Sequence, residues 1–265
     1  MTRPTSSHEW DASAYHQISG PQASWGEKVR SRLNLTGDET ILDAGCGTGR
    51  LTAGLLDNLP RGRVLALDIS QNMLKGARSH LGPRGHAKLH FVCADLGMLP
   101  FCNSLDGIFS TASFHWVLDH ARLFQNLFMS LRPGGWLVAQ CGEARNLNRL
   151  RNRIREIART PPYANFLSKF GEPWFFSDAE GAYSRLKEAG FVDIETSAEP
   201  ASTPFENSAH YTEFVRTAIV HRHLSRLPGV ELRQSFLQDL AEQAAQDDPP
   251  FELDYWRLNL KARKP

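Results

Sequence analysis

Ile41-Leu42-Asp43-Ala44-Gly45-Cys46-Gly47-Thr48-Gly49-Arg50 is the stretch that decides the fold. A short apolar run enters glycines at the alternate positions 45, 47 and 49, and a segment with Leu51, Leu55 and Leu56 in helical spacing leaves them. That order predicts a strand, a glycine turn and a helix. Glycine admits positive φ and has no Cβ to hold a ligand off the backbone, while the start of the next helix offers N–H groups with no intrahelical partner. A small polar ligand is therefore expected against this turn.

Further strands follow from the same reading. Arg61-Gly62-Arg63 breaks the chain before Val64-Leu65-Ala66-Leu67-Asp68, an apolar run suited to burial on both faces. Leu89-His90-Phe91-Val92-Cys93-Ala94-Asp95 is the third strand and Leu105 to Thr111 the fourth. A helix carrying Leu123, Leu127 and Leu131 stops at Arg132-Pro133-Gly134-Gly135, and Trp136-Leu137-Val138-Ala139-Gln140 is the fifth strand. Asp43, Asp68 and Asp95 stand at or near the ends of three successive strands, the edge at which open α/β sheets bind ligands. Asp68 lies about 20 residues beyond the last glycine, the offset at which a carboxylate meets ribose hydroxyls. Its alternative role is to cap the next helix, with Ser70.

A dinucleotide fingerprint needs its third glycine where this chain has Arg50. The pattern acidic-x-Gly-x-Gly-x-Gly instead resembles the first motif of class I S-adenosylmethionine-dependent methyltransferases, which also share the helix, L-x-P-G-G, strand junction seen at Leu131 to Trp136. Phe114-His115-Trp116-Val117-Leu118-Asp119-His120 is similar to the corresponding turn of the trans-aconitate methyltransferase-like branch, which esterifies small carboxylic acids. The resemblance implies a Rossmann-like, seven-stranded, mostly parallel sheet with helices on both faces and a helical cap from the N-terminal arm and insertions. It implies S-adenosylmethionine as cofactor: Asp43 meets the methionine ammonium, Gly45, Cys46, Gly47 and Gly49 lie along the methionine and ribose, and Asp68 takes the ribose. Asp95 then accepts from the adenine amino group and Leu96 packs on the ring, with Ile69, Met73, Thr111 and Ala112 completing the cofactor set.

The reading of the remaining chain is a single domain over residues 1–265. Its core covers about 25–143 with 177–200 and 255–264, and its cap comes from 1–24, 144–176 and 204–250. In the arm, Trp10 and Tyr15 read either as packing residues or, by the resemblance, as a lid that brings Tyr15 to the methyl group. Trp25 to Leu35 is expected to be a helix. Arg145, Arg149, Arg151, Arg153, Arg155 and Arg159 punctuate an amphipathic helix, whose basic face is either solvated or a docking patch for an acidic carrier protein. Thr160-Pro161-Pro162-Tyr163 and Asp248-Pro249-Pro250-Phe251 mimic the catalytic string of amino-directed nucleic-acid methyltransferases, but neither follows strand four, so both are read as turns.

The chain has 265 residues and a formal charge of +1, which gives no overall field toward nucleic acid or a membrane. Cys46, Cys93, Cys102 and Cys141 show no metal-ligand spacing, so no metal is expected. The N-terminus has no apolar leader and no later segment reaches bilayer length, so a soluble cytoplasmic protein is expected, with its oligomeric state open. A carboxylate acceptor is ionised near neutral pH and needs no general base. His115 and Trp116, following strand four, and Tyr15 are the candidate catalytic residues, with Tyr211 and Arg216 as further anion-binding candidates. The branch often has Gln where this chain has His115, which keeps a hydroxyl or amine acceptor open, His being able to act as base. The other readings are methylation of a carrier-bound acyl chain and a non-catalytic S-adenosylmethionine-binding module.

Overall fold

A computed structural model describes residues 9–82 and 87–265. In chain order the elements are α1 (Ala12–Ile18), α2 (Gly20–Arg30), β1 (Thr40–Ala44), α3 (Arg50–Asp57), β2 (Arg63–Asp68), α4 (Gln71–Leu81), β3 (Leu89–Cys93), β4 (Leu105–Thr111), α5 (His120–Ser130) and β5 (Leu131–Gly142). They continue with α6 (Asn148–Ile157), α7 (Ala164–Leu167), α8 (Ala179–Glu188), β6 (Val192–Pro200), β7 (Thr203–Pro204), α9 (Ser208–Phe214), α10 (His221–Leu224), α11 (Val230–Ala244), β8 (Glu252–Leu253) and β9 (Trp256–Arg263). The chain divides into one unit within Met1–Ala144, Trp174–Glu199 and Arg257–Pro265, and a second of Arg145–Pro173 and Pro200–Trp256.

The first unit is built on a seven-stranded sheet in the order β3-β2-β1-β4-β5-β9-β6. β1 runs parallel to β2 and β4, β2 to β3 and β4 to β5, while β9 is antiparallel to β5. The strand order reverses between β1 and β4, so a crevice opens outside their C-terminal ends. The two-residue period of each strand feeds two cores. Ile41, Val64, Ala66 and Phe109 point to one face with Val29 of α2 and Leu55 of α3, while Leu42, Ala44, Leu67 and Ile108 point to the other with Leu123, Phe124 and Leu127 of α5 and Leu186 of α8. Burial on both faces explains why these strands are apolar throughout rather than alternating.

Three boundaries differ from the sequence reading. The helix expected over Trp25–Leu35 is α2, Gly20–Arg30, because Pro21 sits in its first turn, where a missing N–H costs nothing. β5 begins at Leu131, which pairs with Leu105. The register resumes with Gly107 opposite Trp136, so the Arg132-Pro133-Gly134-Gly135 stretch bulges between them. The described part of the N-terminal arm groups with the sheet unit rather than with the insertion helices.

The second unit packs α6, α7, α9, α10 and α11 around Tyr163, Leu167, Phe214, Phe236 and Leu240, with β7 and β8 forming a two-stranded ribbon. The Tyr163 hydroxyl donates to Asp239 Oδ2 at 2.6 Å. Both proline strings that mimic a nucleic-acid methylation motif lie in turns of this unit.

Candidate functional site

The turn after β1 takes the predicted shape. Gly45, Gly47 and Gly49 have φ of 81°, 53° and 81°, a region that costs other L-residues about 1–2 kcal/mol each. The Gly45 and Cys46 amides both donate to Leu67 O at 2.8 Å, which pins the turn to β2. A Cβ on Gly45 would lie 2.0 Å from Ser113 Oγ, whereas one on Gly47 would meet nothing within 4 Å. Gly45 is thus required by the protein, and Gly47 faces open space. That space is an open cleft lined by Tyr15, Ser19, Gln22 and Ala23 from α1, α2 and their junction, by Gly45 to Thr48, Arg50 and Leu51, and by Thr111 and Ala112 at the end of β4.

Two acids stand behind the turn. Asp68 at the tip of β2 accepts from the Gly47 amide at 2.9 Å and from the Ser70 amide at 2.8 Å. Burial raises its carboxyl to about 6 against the pull of these amides. Asp43 is 3% exposed and accepts from Thr52 Oγ1 at 2.6 Å; burial, helped by the nearby Asp68 charge, pushes it up to about 7. Burial and the same acids keep the Cys46 thiol well above its usual range, so it is not a thiolate at neutral pH. Burial and Asp68 likewise raise the Tyr15 phenol to about 12, with Arg257 and Arg50 opposing, and Tyr15 remains a hydrogen-bond donor.

A run of aromatic rings leads away from Tyr15. Its ring meets Trp10 edge-on at 5.5 Å, Trp10 meets Trp116 at 5.2 Å, and Trp116 meets Trp174 at 5.9 Å. Phe176 stacks on Trp174 and lies 5.5 Å from the His115 ring. His115 is buried in the turn that follows β4, and its Nδ1 accepts from the Gly142 amide at 3.4 Å. Ala112 opens that turn with φ of 54°, an uncommon value outside glycine.

Comparison with known proteins agrees with this architecture. A family model described as a methyltransferase domain matches residues 42–139, the segment from β1 to β5. Trans-aconitate 2-methyltransferase of Acidovorax ebreus is 33% identical over 152 residues, 57% of this chain and 56% of that protein. The chain thus aligns with little more than half the length of that relative. The Variovorax paradoxus protein of the same name is 26% identical over 91% of both chains. Among solved structures, phosphoethanolamine N-methyltransferase 2 of Haemonchus contortus, in complex with phosphomonomethylethanolamine and S-adenosylhomocysteine, superposes with a TM-score of 0.63 at 17% identity, covering 96% of this chain and 57% of that one. The chain is a class I S-adenosylmethionine-dependent methyltransferase, similar in sequence to the trans-aconitate 2-methyltransferases.

The cofactor of this methyltransferase family is S-adenosylmethionine, and the cleft fits it. Gly47 leaves room where a side chain would stand, Asp68 keeps lone pairs beyond the two amide bonds, and two buried polar atoms of cleft residues, Gln22 Oε1 and Arg50 Nε, have no hydrogen-bond partner. Of the cofactor residues expected from sequence, Gly45, Cys46, Gly47, Thr111 and Ala112 line the cleft with Tyr15, and Gly49 ends the turn as the N-cap of α3. Ile69 is half-buried beside Asp68, and Met73 is buried in α4. Asp95 is exposed and accepts from the Gly97 amide at 2.8 Å, while Leu96 is buried in the core.

Tyr211 and Arg216 lie in the second unit. Tyr211 is buried, with its phenol raised to about 12, chiefly by burial, and Arg216 pairs with Glu213 at 2.6 Å. The arginines of α6 are compensated inside that unit: Arg151 and Arg155 pair with Glu172, Arg153 with Asp247, and Arg149 with Glu252. The docking of an acidic carrier protein draws no support from them.

Sequence reasoning missed several residues of the methyltransferase unit. Glu9 accepts from Ser70 Oγ at 2.9 Å and from the Asn72 amide at 3.1 Å, capping α4 from the arm. Arg257, 3% exposed, lies over the Trp25 ring at 4.8 Å. Both depend on partners far away in sequence, so no local spacing announces them. Among the described residues no helix is long and apolar enough to cross a membrane.

Proposed function

We propose that this chain transfers the methyl group of S-adenosylmethionine to a carboxylate oxygen of a small organic acid. The observation that carries the choice of acceptor is the Gly142 amide donating to His115 Nδ1 at 3.4 Å. With Nδ1 accepting, the neutral ring holds its proton on Nε2 and is a donor there. A donor suits an anionic acceptor, whereas a base for a hydroxyl or amine needs that lone pair unprotonated. The naming of relatives as trans-aconitate 2-methyltransferases supports the same acceptor class.

The bound cofactor supplies an electrophilic methyl on sulfur: a carboxylate lone pair forms the new C–O bond, the C–S electron pair stays on sulfur, and no proton moves. The protein's own task is then alignment and desolvation. The glycine turn and Asp68 set the position of the adenosyl portion. Tyr15 presents a protonated phenol at the cleft, and His115 presents Nε2–H to the acid. The Trp10, Trp116, Trp174 and Phe176 rings keep water from the anion, which strengthens each of these hydrogen bonds.

The test is incubation with methyl-labelled cofactor and a fractionated metabolite extract, with mass identification of the labelled product. A methyl ester cleaved by mild base is the expected result. Label held in a base-stable ether or amine transfers the assignment to a hydroxyl or amine acceptor. Tight cofactor binding with no labelled product in any fraction identifies a binding module without chemistry.

A further inference from the structure

The glycine-turn cleft contains two buried polar atoms that the fold leaves unanswered: Gln22 Oε1, an acceptor, and Arg50 Nε, a donor. Buried groups of this kind are uncommon in native proteins and call for a ligand or water. The fold sets where both residues stand. Gln22 stands in the first turn of α2 beside Pro21, and another arm of the Arg50 guanidinium donates to the backbone oxygen of His16. His16 is itself tied to the turn, its Nδ1 lying 2.8 Å from Thr48 Oγ1. The planar guanidinium is thereby oriented while its Nε–H has no partner in the fold.

One unanswered acceptor and one unanswered donor in the same cleft are the complement of a zwitterion, which offers one cationic donor and one anionic acceptor. Asp43, the acid that the family resemblance aims at the ammonium, is buried behind the turn with Oδ2 engaged by Thr52. We infer that Gln22 and Arg50 hold the two ends of the cofactor's amino-acid portion, Gln22 Oε1 accepting from the ammonium and Arg50 Nε–H donating to the carboxylate. The inference rests on the cofactor reading of the cleft. It assigns recognition of the amino-acid end to α2 and to the residue that opens α3, in place of the strand acid.

Titration calorimetry tests it with four ligands: S-adenosylhomocysteine, its decarboxylated analogue, its deaminated analogue, and 5′-methylthioadenosine, which lacks the whole amino-acid end. Arg50→Met is expected to weaken S-adenosylhomocysteine by about 10–100-fold, the range for a hydrogen bond to a charged group, and to leave the decarboxylated analogue within about twofold of the unsubstituted protein. Gln22→Met is expected to do the same with the deaminated analogue as its unaffected ligand. Retained 5′-methylthioadenosine binding in both variants shows that the cleft is still folded. Equal losses for S-adenosylhomocysteine and 5′-methylthioadenosine, or unchanged discrimination among the four ligands, overturn the inference and leave the cofactor reading standing. Failure of the unsubstituted protein to bind S-adenosylhomocysteine overturns both.

Discussion

The Gly47 amide donates to the Asp68 carboxylate across 2.9 Å, joining the turn after β1 to the tip of β2. This bond fixes the cradle's shape from one side and the acid's orientation from the other. Asp68→Ala removes the acceptor from the Gly47 and Ser70 amides together. Leaving buried donors unmatched costs about 1–3 kcal/mol of stability. We expect a drop of that size in urea unfolding and, on the proposed role of the same carboxylate as ribose acceptor, at least a tenfold loss of S-adenosylhomocysteine affinity by calorimetry. Unchanged affinity would remove Asp68 from the site.

Gly45 and Gly47 separate a structural from a ligand requirement. At Gly45 an added methyl lies 2.0 Å from Ser113 Oγ with φ of 81°, so Gly45→Ala is expected to destabilise the fold by about 2–5 kcal/mol. At Gly47 the methyl meets no protein atom within 4 Å, and only the left-handed backbone is penalised, by about 1–2 kcal/mol. Gly47→Ala should therefore remain folded in a thermal melt yet lose cofactor binding, because the methyl projects into the cleft. A Gly47→Ala protein that binds with ordinary affinity would show that the ligand lies elsewhere.

How much of this was legible in the sequence follows from the range of each interaction. Ile41 to Gly49 specifies strand, turn and helix through spacing within ten residues, and the offset from Gly49 to Asp68 survives because a βαβ unit has nearly constant length. The pairing of Asp68 with Gly47 is already implied once those two elements are adjacent. Gln22 gave no signal, since a glutamine in the first turn of a helix reads as surface until the β1 turn is brought against it. The arginines of α6 misled for the same reason: their charges are visible in one stretch, while Glu172, Asp247 and Glu252, which compensate them, are scattered over the next hundred residues.

Asp43 makes stability depend on pH in an unusual direction. Burial lifts its carboxyl from the ordinary 3.8 to about 7, so between those values the folded protein holds a proton that the unfolded chain has released. Stability from this group therefore falls as pH rises through that window. His120 and His223, lowered by burial to about 4, act oppositely up to the ordinary value of 6.5, and the overall trend is a balance. The comparison with Asp43→Asn isolates the acid, since the amide can still accept from Thr52. The stability of the variant relative to the unsubstituted protein should grow steadily between pH 5 and 7.5 in denaturant titrations. A difference that stays flat over that range contradicts the buried, raised carboxyl.

His115 distinguishes a donor from a base. If Nε2–H binds an anionic acceptor, then Gln at this position can still donate through its amide, and His115→Gln is expected to keep about a tenth or more of kcat/KM. His115→Phe, which has the bulk and no donor, should lose about 100-fold or more, the scale for removing one hydrogen bond to charge in a water-poor site. With a carboxylate acceptor no proton is removed, so kcat should be level from about pH 6.5 to 8.5 once the acid is ionised. The outcome that sinks the carboxylate reading is a kcat that rises with pH through the histidine range, together with an inactive His115→Gln. That pattern would mean that the reactive neutral ring carries its proton on Nδ1 and its lone pair on Nε2, a tautomer in which Nδ1 cannot accept from the Gly142 amide, and the ring would then be a base for a hydroxyl or amine.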